Sequence, residues 1–268
     1  MTRKGYWLEL GTEGYSEIFS LQETINGARR KGAIPDTVII LEHHPCFTVG
    51  RTGGFEHILV STEVLEEWGI RVYETDRGGD VTYHGPGQVV CYPIIDLSDY
   101  GRDAHVYVRK MEELLIGTLA SFGIVADRKV RYPGVWVGSA KIGALGIGIR
   151  NWVTMHGVSL NVYPDMRPFS LIVPCGISTL GVTSMKKVLG YQVEITEVRQ
   201  EMRKQFSGIF DIELEDISLE EMKRMGDDSL SVRLAGLIST GGPGSQPNES
   251  PAGSLPALYV IERRWFQH

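Results

Sequence analysis

Apolar and polar positions along this chain alternate over short stretches more often than they recur at helical spacing. Tyr6 to Leu10 alternates as a half-buried strand does, Tyr15 to Lys31 is helix-like, and Thr37-Val38-Ile39-Ile40-Leu41 is β-branched and strand-like. A short helix is expected around Glu63 to Trp68, with strands at Arg71–Glu74 and Val89–Ile95. The clearest helix runs from about Ala104 to Phe122. There Met111, Leu114, Leu115, Leu119 and Phe122 fall on one face, with Asp103 placed to cap the start and Gly123 the end. Gly134–Gly138, Lys141–Ile149 and Thr154–Val162 read as strands, the first two joined by a two-residue polar turn near Ser139-Ala140. A further helix is expected from Glu197 to Phe206 with Thr196 as its cap. Strands in runs, broken by only a few helices, predict an α+β sheet domain rather than alternating βαβ units.

That pattern stops near Leu237. Gly241-Gly242-Pro243-Gly244-Ser245-Gln246-Pro247 and the polar residues after it have nothing to bury and read as a disordered linker. The expected division is a main domain over 1–215, an extension over 216–240, a linker over 241–257 and a short terminal segment, 258–268, of unassigned role. A chain of 268 residues is long enough for one domain of this size with a real core.

Charge and cysteine usage narrow the function classes. The net charge is −6, so no basic excess is available to neutralise phosphates, and a general nucleic-acid binder is not expected. The three cysteines, Cys46, Cys91 and Cys175, include no closely spaced pair, which points to a reducing compartment rather than a disulfide framework. No signal-peptide core follows Met1, and no apolar run is long enough to span a bilayer. A soluble, cytoplasmic protein is the expectation.

Candidate chemistry lies in four places. Cys175 sits in Val173-Pro174-Cys175-Gly176-Ile177, between a residue that fixes φ and one that permits almost any backbone shape. Lys141 opens an apolar, glycine-punctuated stretch with no other charge before Arg150, the setting in which an amine is desolvated. Together they suggest an activated thiolate with its base, hence acyl transfer through a thioester; read singly, each is a structural residue. Arg77-Gly78-Gly79-Asp80-Val81-Thr82-Tyr83-His84-Gly85-Pro86-Gly87-Gln88 is either a ligand-approaching glycine loop or a double turn between strands. His43-His44-Pro45-Cys46 lacks a second ligand cluster, so it reads as a strand-end turn, and no metal is expected. Cys91, within Val89-Val90-Cys91-Tyr92, reads as a buried core thiol.

Taken in order, His44 to Gly50, Arg77 to Gln88, the strand at Lys141, His156-Gly157-Val158-Ser159-Leu160-Asn161-Val162 and Pro174-Cys175-Gly176-Ile177 resemble the octanoyltransferases of lipoate biosynthesis. The resemblance spans roughly residues 5–210. It implies a mixed β-sheet packed with helices, as in lipoate and biotin protein ligase catalytic domains, with the ligand in a tunnel over the sheet. It implies Cys175 as the acyl-thioester nucleophile and Lys141 as the group that lowers its pKa. The matching acyl-binding segments are Arg77, Gly78, Gly79, Asp80, Val81, Thr82, Tyr83 and His84; Ala144, Leu145 and Gly146; and Gly157, Val158 and Ser159. No cofactor is implied. The implied donor is octanoyl–acyl carrier protein, and the implied acceptors are lipoyl domains of 2-oxoacid dehydrogenase complexes and the glycine cleavage H protein. Cys46 stands where a plain apolar residue is expected, and the chain past Asp211 extends beyond the usual core. The alternatives are an ATP-dependent lipoate ligase on the same fold and a non-catalytic acyl- or carrier-binding protein.

Overall fold

The computed structural model describes residues 2–129, 132–173 and 181–225; Cys175 and the linker and terminal segment expected beyond residue 240 lie outside the described residues. Strand β1 (Arg3–Glu13) leads through helix α1 (Tyr15–Arg30) to β2 (Asp36–His43), parallel to β1. The chain then builds β3 (Cys46–Val49), α2 (Thr62–Glu67), β4 (Arg71–Glu74) and β5 (Val81–His84) before returning as β6 (Gln88–Ile94). Helix α3 (Ala104–Ser121) precedes the antiparallel run β7 (Asp127–Lys129), β8 (Tyr132–Val137), β9 (Ala140–Arg150) and β10 (Val153–Asn161). The last elements are β11 (Gly181–Val182), α4 (Met185–Leu189), α5 (Ile195–Phe210), β12 (Ile212–Asp216) and α6 (Leu219–Met225).

Among the described residues these strands form two sheets. The main one has the order β12-β1-β2-β6-β10-β9-β8-β7, with β11 added on β9. It is mixed: β12, β1 and β2 run parallel, and every pairing from β2 through to β7 is antiparallel. The second sheet, β4-β3-β5, is short and stands apart from the first.

Period-two alternation decides which helices cover which face of the main sheet. Val38, Ile40, Val89, Cys91, Val158 and Leu160 point to α3 and α5, where they meet Leu114, Leu115, Leu119, Met202 and Phe206. Ile39, Leu41, Val90, Tyr92 and Ile94 point the other way, to Ile18, Leu21 and Ile25 of α1. Asp103 caps α3 as its spacing predicts, accepting from the His105 and Val106 amides at 2.8 and 3.0 Å, and Gly123 ends it at φ = 76°. On α5, Val198, Met202, Phe206 and Phe210 repeat every fourth residue and are at most 1% exposed.

Three local expectations are corrected. Helix α5 begins at Ile195, which is drawn into the core, so Glu194 rather than Thr196 occupies the cap position. The β8–β9 turn consists of Gly138 and Ser139; Ala140 is already paired with Val137, and Gly138 takes the positive φ of 58° that the turn requires. The glycine-dense segment Arg77 to Gln88 contains a strand, β5, paired with β3, so His43-His44-Pro45-Cys46 leads into a second sheet. The fold also continues past residue 215: β12 pairs with β1 up to Asp216, and α6 buries Met222 against the α1 side of the sheet.

Candidate functional site

A cleft lies between the main sheet, the small sheet and the start of α1. Its floor is Ala144, Leu145 and Gly146 of β9 beside Gly157, Val158 and Ser159 of β10, with Val90 and Tyr92 of β6. Its walls include Arg77, Gly79, Asp80, Thr82 and His84, together with Tyr15 and His156. Eleven of the fourteen residues expected to bind an acyl chain therefore line one cavity, although the three segments are far apart in sequence. The other three serve the scaffold. Val81 and Tyr83 point into the small-sheet core, where Tyr83 meets Phe47 and Phe169 edge-on, and the Gly78 amide donates to the Ile147 carbonyl at 3.0 Å.

The wall is rigid because its polar groups are committed to the scaffold. The Arg77 guanidinium donates to the Thr48 carbonyl and the Asp80 carbonyl, each at 2.6 Å, and to the Thr48 hydroxyl, clamping the loop to β3. Its methylenes then lie over Gly146, where an added Cβ would fall 2.7 Å from Arg77 Cδ; glycine permits that approach. Asp80 accepts from the Val81 amide and pairs with His57 Nδ1 at 2.7 Å, and the hydrogen bond to that carboxylate raises the His57 pKa. His57 also accepts, through its carbonyl, the amide of Val173 at 2.8 Å.

The buried histidines are neutral. Burial, together with neighbouring His43, lowers His84 to about 3, and burial lowers His43 to about 4. Gln88 donates its amide to Asn161 Oδ1 at 2.8 Å and to the Tyr83 carbonyl, leaving Gln88 Oε1 to accept from His84 Nδ1 at 2.7 Å. Asn161 donates onward to the Thr183 carbonyl, and the Thr183 amide donates to the carbonyl of Lys141. A buried chain of amides thus links the His84 wall to the strand that carries Lys141. His156 donates from Nε2 to Asp76 at 2.7 Å, and Arg150 holds the other carboxylate oxygen at 2.6 Å. Burial pushes the Asp76 pKa up, but these two hydrogen bonds outweigh it and hold the carboxyl well below its usual range. Burial lowers His156 despite the attraction of Asp76.

Lys141 is 8% exposed, with Nζ 4.9 Å from the centre of the Trp136 ring. The β8–β9 register passes from Val135↔Gly143 to Trp136↔Lys141, so β9 carries one extra residue and the alternation breaks beside the lysine. Bulges of this kind re-aim side chains next to functional sites. Val182 of β11 pairs with Lys141. The chain therefore leaves the described region after Val173, anchored on His57, and re-enters beside Lys141; Cys175 belongs to the segment between.

The other two cysteines are unsuited to nucleophilic work. Cys46 and Cys91 are 2% and 0% exposed, and burial pushes both thiols far above their ordinary pKa. His43 is occupied by the Glu13 carbonyl and the Tyr92 hydroxyl, at 3.1 and 2.9 Å. Among the described residues no cluster of three His, Cys, Asp or Glu side chains is arranged to hold a metal ion, and no helix is long and apolar enough to cross a membrane. Sequence reasoning left out Tyr15, Asp76 and His156. The last two flank expected segments directly, ahead of Arg77 and ahead of Gly157, but their pairing joins positions 80 residues apart, which no local pattern reveals.

Comparison with known proteins identifies the family and the fold. The family model described as the lipoyl protein ligase A/B catalytic domain matches residues 14–207. An octanoyltransferase of Caldicellulosiruptor saccharolyticus is 43% identical over 213 residues, covering 79% of this chain and 91% of its own. One of Solibacter usitatus is 45% identical over 206 residues, covering 77% and 93%. Among solved structures, lipoate-protein ligase A bound with ATP superimposes with a TM-score of 0.71 at 18% identity, covering 88% of this chain and 94% of that one. The bipartite lipoate protein ligase of Thermoplasma acidophilum gives 0.68 at 18% identity, covering 88% and 92%. At that identity the two structures speak to the fold alone.

Proposed function

The chain belongs to the lipoyl protein ligase A/B catalytic domain family, and from that premise we propose that it is an octanoyltransferase of lipoate biosynthesis working through a thioester on Cys175. The Cys175 thiolate attacks the thioester carbonyl of octanoyl–acyl carrier protein, and the carrier's thiolate leaves. A lysine amine of a lipoyl domain then attacks the Cys175 thioester; the amide forms, the amine loses a proton and the Cys175 thiolate is released. Splitting the transfer this way replaces one difficult step with two easier ones. Lys141 takes the thiol proton or stabilises the thiolate, and returns a proton as the leaving group requires it. The acceptors on this reading are lipoyl domains of 2-oxoacid dehydrogenase complexes and the glycine cleavage H protein. The working compartment is the cytoplasm, where a nucleophilic thiol stays reduced.

The observation that carries the reading is the gathering of three separate motif segments around one cleft whose floor strand carries Lys141 as its second residue. An apolar, glycine-lined floor suits an alkyl chain, whose burial is worth about 0.8 kcal/mol per methylene. The test is transfer from octanoyl–acyl carrier protein to an unmodified lipoyl domain without nucleotide and with divalent metal chelated. Because the donor thioester is already activated, transfer is expected to continue. An absolute requirement for ATP would move the chain to the ligase side of the family.

A further inference from the structure

The strand register gives the cleft a direction. Ser159 stands opposite Ala144, Gly157 opposite Gly146 and His156 opposite Ile147, while Lys141 lies three residues before Ala144. On the proposed reading the acyl carbonyl sits at the Lys141 end, so the methyl end of the chain points toward Ile147. From Ala144 to Ile147 is three strand steps, about 10 Å, close to the length of an extended eight-carbon chain.

At the level of Ile147 three contacts bridge the loop of residues 76–78 to β9 and β10. The Gly78 amide donates to the Ile147 carbonyl at 3.0 Å. The Arg77 methylenes cover Gly146. Asp76, next in sequence to Arg77, binds His156 Nε2 at 2.7 Å across the gap. The His156 ring has little freedom to swing aside. It stacks on Phe19 with centroids 5.6 Å apart, and its own amide donates to Gln22 Oε1 at 2.8 Å. Its backbone holds φ = 55°, and Arg150 fixes the far oxygen of Asp76. A non-glycine residue with positive φ inside a strand persists only where its surroundings over-determine it.

We infer that the Asp76–His156 pair is the end stop of the acyl cleft and sets the upper limit on chain length. A longer chain meets a wall in which the His156 ring is hydrogen-bonded to a carboxylate, not empty space. Displacing that wall breaks a hydrogen bond to a carboxylate and leaves the Nε2 proton of His156, 1% exposed, without its acceptor, a cost that offsets what two further methylenes return. This inference rests on the acyl-transfer reading for its direction, yet it concerns residues that have no part in the covalent steps.

The experiment measures calorimetric binding of octanoate, decanoate and dodecanoate to the full chain, alongside transfer from the corresponding acyl carrier proteins. For the wild type, decanoate is expected to bind about tenfold or more weakly than octanoate, the discrimination a closed apolar pocket gives for extra methylenes. Asp76→Ala unpins the ring, and His156→Asn shortens it with a residue that tolerates positive φ. Both should bring the decanoate-to-octanoate ratio to within about threefold. A wild type that binds decanoate and dodecanoate as well as octanoate overturns the inference, and that result needs no variant. An unchanged ratio in folded Asp76→Ala and His156→Asn overturns it as well. A sharp cut-off in binding with no transfer from any carrier would sink the proposed reaction and leave the end stop standing.

Discussion

The two faces of the main sheet are built from the same strands and do opposite things. On the α3–α5 side, β6 and β10 present Val89, Cys91, Val158 and Leu160 to Leu115, Met202 and Phe206 in a nearly unbroken apolar core. One residue along each strand, Val90, Tyr92, Gly157 and Ser159 face a cleft rimmed by Arg77, Asp80, His84 and His156, most of them buried and hydrogen-bonded. The first face holds the fold by burying apolar area. The second packs part of its area under α1, gives up the rest to a cavity and fixes the shape of that cavity with hydrogen bonds. The cleft and the α3–α5 core therefore lie on opposite faces and can be damaged separately.

The largest expected effect lies on the cleft side. Lys141→Ala should slow acyl transfer by about 10²–10⁴ while leaving the thermal midpoint nearly unchanged. Lys141→Arg should recover only part of the rate, because guanidinium supplies charge but stays protonated throughout. Stopped-flow acylation of the thiol and a melting curve on the same preparations check both statements. Wild-type speed in the alanine variant would reduce Lys141 to a strand residue resting on Trp136.

Phe206→Ala should give the converse result. Phe206 is fully buried and stacks on Phe210 with centroids 4.4 Å apart, so its loss should cost about 3–5 kcal/mol in a denaturant titration. The rate per folded molecule should stay near the wild-type value. A large fall in that rate would show that the two faces are mechanically coupled.

A smaller effect follows from the neutral histidines. His43 and His84 protonate near 4 and 3 when folded, against about 6.5 when unfolded. The unfolded chain binds protons first as pH falls, so the contribution of these two rings is constant above about pH 6.5 and declines between about 6.5 and 4. The limiting slope is about 1.4 kcal/mol per pH unit for each histidine. Melting curves from pH 8 to pH 4 should show the decline, and His43→Gln should make it shallower. A profile that is flat to pH 4 would mean that these rings carry charge inside the fold. The smallest effect is expected from ending the chain at Ser239: acylation should continue at a near-normal rate, and its loss from a folded shortened chain would tie the terminal segment to the cleft.

The two faces also differ in how legible they were in the sequence. The apolar side announces itself by period: Met111, Leu114, Leu115 and Leu119 predict α3, and its Asp103 and Gly123 ends fall where the pattern puts them. The cleft side is legible as chemistry but not as structure. Arg77 to Gln88 stands out by its glycines, which also conceal strand β5, and Pro45 conceals the start of β3. Arg77 reads as a ligand-binding cation, yet its guanidinium donates to Thr48 and Asp80 and its methylenes lie over the cleft floor. Thr196 fails as a cap because the pull of the core on Ile195 moves the helix start by one residue. Partnerships across 80 or more positions, such as Asp76 with His156, depend on the sheet order, and no window along the chain contains it.

The account turns on which thiol carries the acyl group, and mass spectrometry reads that directly. After brief incubation with octanoyl–acyl carrier protein and no acceptor, the protein should gain one octanoyl mass. Peptide mapping should place it on Cys175, Cys175→Ala should lose it, and Cys46→Ala and Cys91→Ala should keep it. An octanoyl group on Cys46 or Cys91, or full transfer to the acceptor by Cys175→Ala, would contradict the account.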